Sequence, residues 1–270
     1  MAKIIAVLAL AACAGVVLFA GWQRGWADSA TEKMSGAERL EYARRRSGAK
    51  IRERFLAAGI DRPRLVFLRA FKKEGELELW ALGGGAKQFK LIATFPVLAA
   101  SGKPGPKRRE GDRQVPEGFY RIDRFNPQSA YHLSLGIDYP NASDRVRSDP
   151  QHPGSDIFVH GKDVTIGCLP LGDEGIEQLY LALEDAQRSW KAKLEIPVHI
   201  FPARMGGETW ESFRREQVES APELAAFWAE LQPGYDAFEK TRVVPLVSTG
   251  ADGAYKVEER TAAPLGPRFD

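Results

Sequence analysis

The chain has 270 residues, of which 44% are hydrophobic and 27% are charged, so it can bury a sizeable core as one large or two small globular domains. Its formal net charge is only +2. Because proteins that bind nucleic acid through its phosphates usually carry a concentrated basic excess, we expect no nucleic-acid partner.

The N-terminal segment differs from the rest of the chain. Residues 4–20 form an uninterrupted apolar run, longer than the usual ~7–15 residues of a cleavable signal and shorter than a typical membrane span. Residues 1–29 are therefore interpreted as a signal peptide or as a membrane anchor across residues 4–22, and a lipidation site at Cys13 is a third alternative. Each predicts an exported, periplasmic protein that meets the membrane only through this segment.

The next segment predicts a helix from Ser35 to Gly59. Ser35 and Glu38 have the spacing of a capping box, and Gly59 can end the helix. Because the helix carries many charged and few large apolar residues, we assign residues 30–62 to a helical spacer, either solvated or packed on the remainder of the chain.

From Arg64 onward, the hydrophobic period becomes two. The stretches "RLVFLRAF" and "ELELWAL" flank Gly75 and predict a hairpin, and short alternating segments continue to "IPVHIFP". The predicted fold class is therefore α+β, with a mainly β core over residues 63–203 and flanking helices. Residues 101–118, rich in Gly, Pro and charge, predict a long loop that is either solvated or functional.

Two helices are predicted in the C-terminal part of the chain. The first opens at Asp173 as N-cap and buries apolar residues at helical spacing, namely Ile176, Leu179, Tyr180 and Leu183. The second starts at Ser220 in a capping box with Glu223 and ends at the Pro-Gly pair 233–234. Residues 204–270 are thus assigned to a helical extension, with a loosely ordered tail from Gly250.

Cys168 is one of two cysteines in the chain, and the other lies in the N-terminal segment. Since cysteines of exported proteins are mostly paired, a lone thiol suggests a chemical role. The stretches "DIFVHG" and "VTIGC" predict a hairpin that brings His160 close to Cys168, where an imidazole can take the thiol proton and Gly167 leaves the approach open. The alternative is that Cys168 is a small buried hydrophobe and His160 a structural side chain.

The segment "VHGKDVTIGC" resembles the active-site segment of the L,D-transpeptidase (YkuD-type) family, whose members carry His-Gly followed by Ser/Thr-x-Gly-Cys. Upstream, "PKRREGDRQVPEGFYRI" is similar to the family's Lys, Gly-Asp and Pro-Glu-Gly-x-Tyr pattern, and "NPQSAYHLSLGIDYPNASD" resembles its YafK-like branch. The resemblance covers about Arg64 to Ala203 and implies an L,D-transpeptidase-like β-sandwich.

The resemblance implies a cysteine acyl-enzyme acting on peptidoglycan stem peptides beside meso-diaminopimelate. It makes Cys168 the nucleophile, His160 the general base and later acid, and Gly167 part of the oxyanion turn. Members of the YafK-like branch can release a lipoprotein from peptidoglycan, so transfer and hydrolysis both remain open. A third alternative, of another class, is an inactive peptidoglycan-binding module.

One departure concerns the second histidine that the wider family carries, because Ile166 stands at its place here. His160 is then the one imidazole near the thiol. The group that orients His160 stays open between Asp156, Asp163 and a backbone carbonyl.

Substrate carboxylates favour cationic partners. Weaker candidates for substrate contact are Tyr131, Thr165 and Arg145; the other cationic candidates are Lys107, Arg108, Arg109 and Arg147. The remaining histidines, His132, His152 and His199, do not have the spacing of a zinc site, so we expect no metal and no cofactor.

Overall fold

The computed structural model describes residues 33–188 and 195–262. The predicted signal peptide or anchor at residues 1–29 lies outside the described residues, as do the last eight positions of the predicted tail. Within the described ranges, every helix is too short or too polar to cross a bilayer.

The described residues form ten strands and five helices. The strands are β1 (Pro63–Phe71), β2 (Glu76–Gly83), β3 (Lys90–Pro96), β4 (Gly118–Asn126), β5 (Ser134–Ile137), β6 (Phe158–His160), β7 (Leu169–Pro170), β8 (Ile196–Phe201), β9 (Leu246–Thr249) and β10 (Tyr255–Glu258). The helices are α1 (Gly36–Ala57), α2 (Ala142–Arg147), α3 (Gly172–Arg188), α4 (Gly207–Ser220) and α5 (Glu223–Thr241). The α+β class is confirmed.

Eight strands form one mixed sheet in the order β3-β2-β1-β8-β4-β5-β6-β7. The β1–β8 and β6–β7 pairs are parallel, and the other neighbouring pairs are antiparallel. The sheet is curled, because the backbone N–H of Leu98, just after β3, donates to the carbonyl of Pro170 in β7 at 2.8 Å. The two edges of the sheet therefore approach each other beside the predicted nucleophile.

The main core lies between the sheet and α3, with α1 packed on α3 from outside. The predicted apolar stripe of α3 is buried, from Ile176 to Leu183. The predicted capping box of α1 is confirmed, since the Ser35 hydroxyl accepts from Glu38 N and the Glu38 carboxylate accepts from Ser35 N. Because α1 packs on α3, it is a packing helix.

The predicted hairpin at Gly75 is confirmed as well, with β1 and β2 antiparallel.

The C-terminal predictions need correction. Ser220 ends α4, a helix that the sequence analysis missed, and α5 begins at Glu223 without a side-chain cap. Helix α5 continues through Pro233 to Thr241. The expected loose tail instead forms the β9–β10 hairpin, in which Tyr255 is buried and its hydroxyl accepts from Asn141 Nδ2 at 2.9 Å.

Two further predictions fail near the nucleophile. Helix α3 begins at Gly172, and the Asp173 carboxylate accepts from Lys162 N at 3.0 Å, so Asp173 is not the N-cap. The segments "DIFVHG" and "VTIGC" do not form a hairpin, because the chain crosses back through residues 161–168 and lays β7 parallel to β6.

Candidate active site

Cys168 lies immediately before β7 and is half-buried. Its sulfur accepts from the backbone N–H of Phe158 at 3.4 Å, and the thiol points to the carbonyl oxygen of Asp156 at 3.6 Å. Burial raises the pKa of the Cys168 thiol, although the Phe158 N–H opposes that shift. Cys168 is therefore a neutral thiol at neutral pH.

His160 ends β6 on the neighbouring strand and is 2% exposed. The register places Val159 beside Leu169 and His160 beside Pro170, so His160 lies on the strand next to the one that Cys168 precedes. Burial lowers the pKa of His160, against a weaker opposing effect of its bond to Gly161. The imidazole is neutral at pH 7 and is available as a base.

The orientation of His160 depends on the carbonyl of Gly161, which lies 2.5 Å from Nδ1. Because a carbonyl can only accept, Nδ1 must carry the proton, and Nε2 keeps a free lone pair. Of the three alternatives, the backbone carbonyl is the one that contacts the ring: Asp156 pairs with Arg124 at 3.0 Å, and Asp163 is exposed.

The turn before the nucleophile is built around the Thr165 hydroxyl. It accepts from Gly167 N at 3.0 Å and donates to the Cys168 carbonyl at 2.8 Å. Gly167 has φ of +143°, and a Cβ there would lie 3.0 Å from the Gln114 carbonyl, so only glycine fits. The Gly167 N–H is already bonded, and Thr165 supports the turn through its backbone contacts. Ile166, at the tip, is 74% exposed.

Tyr131 covers the imidazole. Its ring centroid lies 4.6 Å from that of His160 with an interplanar angle of 37°, and the residue is 44% exposed. Its carbonyl accepts from Gly161 N at 3.0 Å. The Tyr131 ring therefore lies between the imidazole and the solvent.

The predicted long loop is folded around Asp112. The Asp112 carboxylate accepts from Lys107 Nζ at 2.6 Å and from the backbone N–H groups of Arg108, Arg109 and Gln114. Burial alone would raise the pKa of Asp112, but these donors outweigh it and lower that pKa. The resulting turn carries the Gln114 carbonyl onto Gly167, so the Gly-Asp motif supports the turn before Cys168 from outside the sheet.

Glu117 anchors the end of the same loop. It is fully buried and accepts from Lys72 Nζ at 2.8 Å, from Gly105 N at 2.7 Å and from the Trp228 indole at 2.7 Å. Sequence reasoning quoted Glu117 within a motif without assigning it a contact. Its three donors come from the turn after β1, the loop and α5, so the carboxylate joins all three.

The cationic candidates divide into engaged and exposed groups. Lys107 is held in the loop, Arg108 pairs with Asp144 at 3.1 Å, and Arg147 pairs with Glu230 through two bonds of 2.9 Å. Arg109 and Arg145 are exposed. The structure thus places His160 on the strand beside the Cys168 segment, Gly167 and Thr165 in the turn before Cys168, and Tyr131 over the imidazole, and it leaves Arg145 on the surface of α2.

A cavity of about 200 Å³ lies beside the segment that follows Cys168. Leu169, the residue after Cys168, forms one wall, and Val115 lies at the end of the long loop. Other lining residues include the apolar Phe71, Val97, Ala99, Ala100 and Phe213 and the charged Lys72, Lys73, Glu76 and Lys103. The cavity therefore combines an apolar wall with charged side chains.

The other histidines occupy separate places. His132 lies 2.8 Å from Glu177, and His199 is enclosed by the rings of Phe67 and Phe119, with burial lowering its pKa to about 3. His152 is exposed. Two of the three are therefore structural side chains of the core.

Comparisons with known proteins match this arrangement to one family. The model of the YkuD L,D-transpeptidase catalytic domain matches residues 71–200. A protein of Escherichia coli strain K12, YafK, which is named as a proposed L,D-transpeptidase, is 34% identical over 196 residues. That alignment covers 72% of this chain and 74% of the relative, and the protein of E. coli O157:H7 gives the same values.

Solved structures were also compared. The helical cell shape determining protein Pgp2 of Campylobacter jejuni is 23% identical with a TM-score of 0.40, covering 52% of this chain and 48% of that structure. Bd1075 of Bdellovibrio bacteriovorus is 20% identical with a TM-score of 0.37, covering 66% and 62%. The chain thus spans about half of the length of the Pgp2 structure.

Proposed function

Because the chain belongs to the L,D-transpeptidase family, whose members are cell-envelope enzymes acting on peptidoglycan, we propose that it is an exported cysteine acyl-enzyme. Its substrate is a peptidoglycan stem peptide, attacked at a bond beside meso-diaminopimelate. The observation that carries the proposal is the pair of neighbouring strands that present Cys168 and a neutral His160 whose Nδ1 is held by the Gly161 carbonyl.

The first step forms a thioester. Nε2 of His160 accepts the thiol proton as the Cys168 sulfur attacks the substrate carbonyl. The oxyanion is held by the Cys168 N–H, since the Gly167 N–H is bonded to Thr165. When the intermediate collapses, the carbon–nitrogen bond breaks, and the imidazolium gives its proton to the leaving amine.

The second step releases the acyl group. An acceptor amine or water attacks the thioester while His160 takes its proton, and the Cys168 thiolate leaves and is reprotonated by the imidazolium. An amine acceptor gives transfer, whereas water gives hydrolysis, which would free a lipoprotein attached to the stem peptide. Both outcomes use the same acyl-enzyme.

The raised thiol pKa and the lowered imidazole pKa bear on the timing of proton transfer. A thiolate–imidazolium pair is disfavoured in the empty site, because burial penalises both charges. Proton transfer therefore accompanies attack on a bound substrate, and the free enzyme is slow to react with small alkylating agents.

The proposal is tested with lipoprotein-bearing sacculi and purified protein, with muropeptides identified by mass spectrometry. We expect wild type to change the muropeptide profile and to show an acyl adduct on Cys168 by intact mass, and Cys168→Ala and His160→Gln to do neither. His152→Gln, at an exposed histidine, is the matched control. New cross-links indicate transfer and freed lipoprotein indicates hydrolysis.

One result would replace the proposal. If Cys168→Ala and wild type bind sacculi equally and both leave the muropeptide profile unchanged, the chain is a peptidoglycan-binding module that does no chemistry. A persistent reaction in Cys168→Ala would instead show that another nucleophile acts.

A further inference from the structure

A buried arginine joins α1 to the segment beside the imidazole. Arg39 is 3% exposed, and its Nη1 donates to the carbonyls of Ser129 and His132. These two residues lie on either side of Tyr131 in the chain. We name residues 129–132 the covering segment, because its tyrosine lies over His160.

A second link holds the same segment through Glu177 of α3. The Glu177 carboxylate is fully buried and accepts from Ser47 Oγ of α1 at 2.5 Å. Its other oxygen lies 2.8 Å from His132 Nε2 and 3.4 Å from Arg46 Nη1. Helix α1 therefore contacts the covering segment directly through Arg39 and indirectly through Glu177.

The path from the covering segment to the imidazole is short. The Tyr131 carbonyl accepts from Gly161 N at 3.0 Å, and the Gly161 carbonyl accepts from His160 Nδ1 at 2.5 Å. The Tyr131 ring also lies against the His160 ring. A shift of the covering segment would therefore move both the ring above His160 and the peptide group that fixes its tautomer.

We propose that Arg39 is a positioning residue for His160. It holds the covering segment so that the Gly161 carbonyl stays on Nδ1 and Nε2 stays free. The guanidinium is suited to this task because its planar Nη1 carries two N–H groups at a fixed angle, one for each carbonyl, whereas the donors of a lysine ammonium rotate freely on a flexible stem. The proposal rests on the proposed function for the role of His160 as base, but not for the tautomer itself.

The test uses Arg39→Lys with Arg45→Lys as the matched control, since Arg45 is on the exposed side of α1 and pairs only with Glu41 among the described contacts. Imidazole ¹⁵N shifts of the four histidines report the tautomer, and His160→Gln assigns the signal. We expect wild type and Arg45→Lys to show Nδ1–H, and Arg39→Lys to show a mixture of tautomers.

The kinetic expectation is a change in kcat rather than in KM. In Arg39→Lys, we expect kcat on sacculi to fall at least about tenfold while KM stays within about twofold. A misplaced base reduces the stabilisation of the transition state but leaves substrate binding unchanged. Ser47→Ala, which removes one donor to Glu177, changes tautomer and kcat in the same direction by less. If Arg39→Lys does not fold, the His160 tautomer in Ser47→Ala tests the proposal instead.

A folded Arg39→Lys with an unchanged His160 tautomer overturns the proposal even if its activity falls. Loss of thermal stability without a tautomer change means that Arg39 only stabilises the fold. Absence of turnover in wild type would refute the proposed function and leave the tautomer comparison valid.

Discussion

Removal of the Thr165 hydroxyl should loosen the nucleophile turn. The change is Thr165→Val, which keeps the branched shape, and the matched control is Thr165→Ser, which keeps the hydroxyl. In the structure this hydroxyl accepts from Gly167 N at 3.0 Å and donates to the Cys168 carbonyl at 2.8 Å. Valine leaves both backbone groups without this partner.

The magnitude follows from the two lost bonds. A net contribution of roughly 0.5–1.5 kcal/mol per hydrogen bond gives a loss of about 1–3 kcal/mol in the free energy of unfolding of Thr165→Val relative to Thr165→Ser. The catalytic effect should be larger than the stability effect, because Cys168 follows the turn directly. We expect kcat/KM to fall at least about tenfold, as is typical when a reacting group is displaced by about 1 Å.

Two measurements check this prediction. Urea unfolding with linear extrapolation gives the stability difference, and muropeptide turnover on sacculi gives kcat/KM. If Thr165→Val matches Thr165→Ser in both, the hydroxyl does not hold the turn, and the reasoning from these two bonds is refuted. If Thr165→Ser is as impaired as Thr165→Val, packing of the methyl group matters instead.

Three further predictions concern charge and burial. The acid limb of the kcat/KM profile, set by His160, should lie below pH 6.5, and the basic limb, set by Cys168, above 9.0, because burial disfavours both charged forms. Trp228→Phe should lower the free energy of unfolding in urea by about 1–3 kcal/mol, since buried Glu117 loses a donor. Relative to Asp144→Asn, wild type should lose stability in urea as pH rises from 3.8 to about 6, because burial raises the pKa of Asp144 to about 6 and the folded state binds the proton more tightly.

Each of these has a contrary result. An acid limb above pH 6.5 would mean that the imidazole is charged at rest. Trp210→Phe also replaces a buried indole by a smaller ring. An equal loss of unfolding free energy in that variant would assign the Trp228→Phe effect to packing. A wild type that gains stability over Asp144→Asn across that pH range would show that its pair with Arg108 outweighs burial.

Local signals in the sequence predicted local structure well. The Ser35–Glu38 box and the Gly75 turn depend on residues within three or four positions of each other, and both are present in the structure. Their energetics are decided before any distant segment packs.

Sequence signals for helix ends gave wrong predictions where distant contacts decide the structure. The Pro-Gly pair in α5 suggests a helix end, yet the helix continues, and a Cβ on Gly234 would lie 2.5 Å from the Phe119 ring. The glycine there admits a ring from β4 and does not break the helix. The Ser220–Glu223 spacing had the form of a box, but Ser220 is the last residue of α4.

At the site, the placement of His160 and Cys168 on neighbouring segments could be predicted, although the path between them could not. A hairpin and a crossover join the same two short strands, and only pairing in three dimensions distinguishes them. The Gln114 and Gly161 carbonyls had no sequence signal, because every residue carries one. The chemical roles of His160 and Cys168 stay predictions.

The carbonyl that orients His160 has a consequence for how the site can vary. A carboxylate in that position could be lost by one substitution and would titrate in acid, whereas a peptide oxygen is present whatever the side chain and holds no ionisable proton. Substitution of Asp156 or Asp163 should therefore leave the orientation of the His160 imidazole unchanged. The vulnerable element is the course of the backbone through Gly161, where an added Cβ would lie 2.6 Å from the Tyr131 carbonyl, so inactivation by mutation should concentrate on residues that shape the chain.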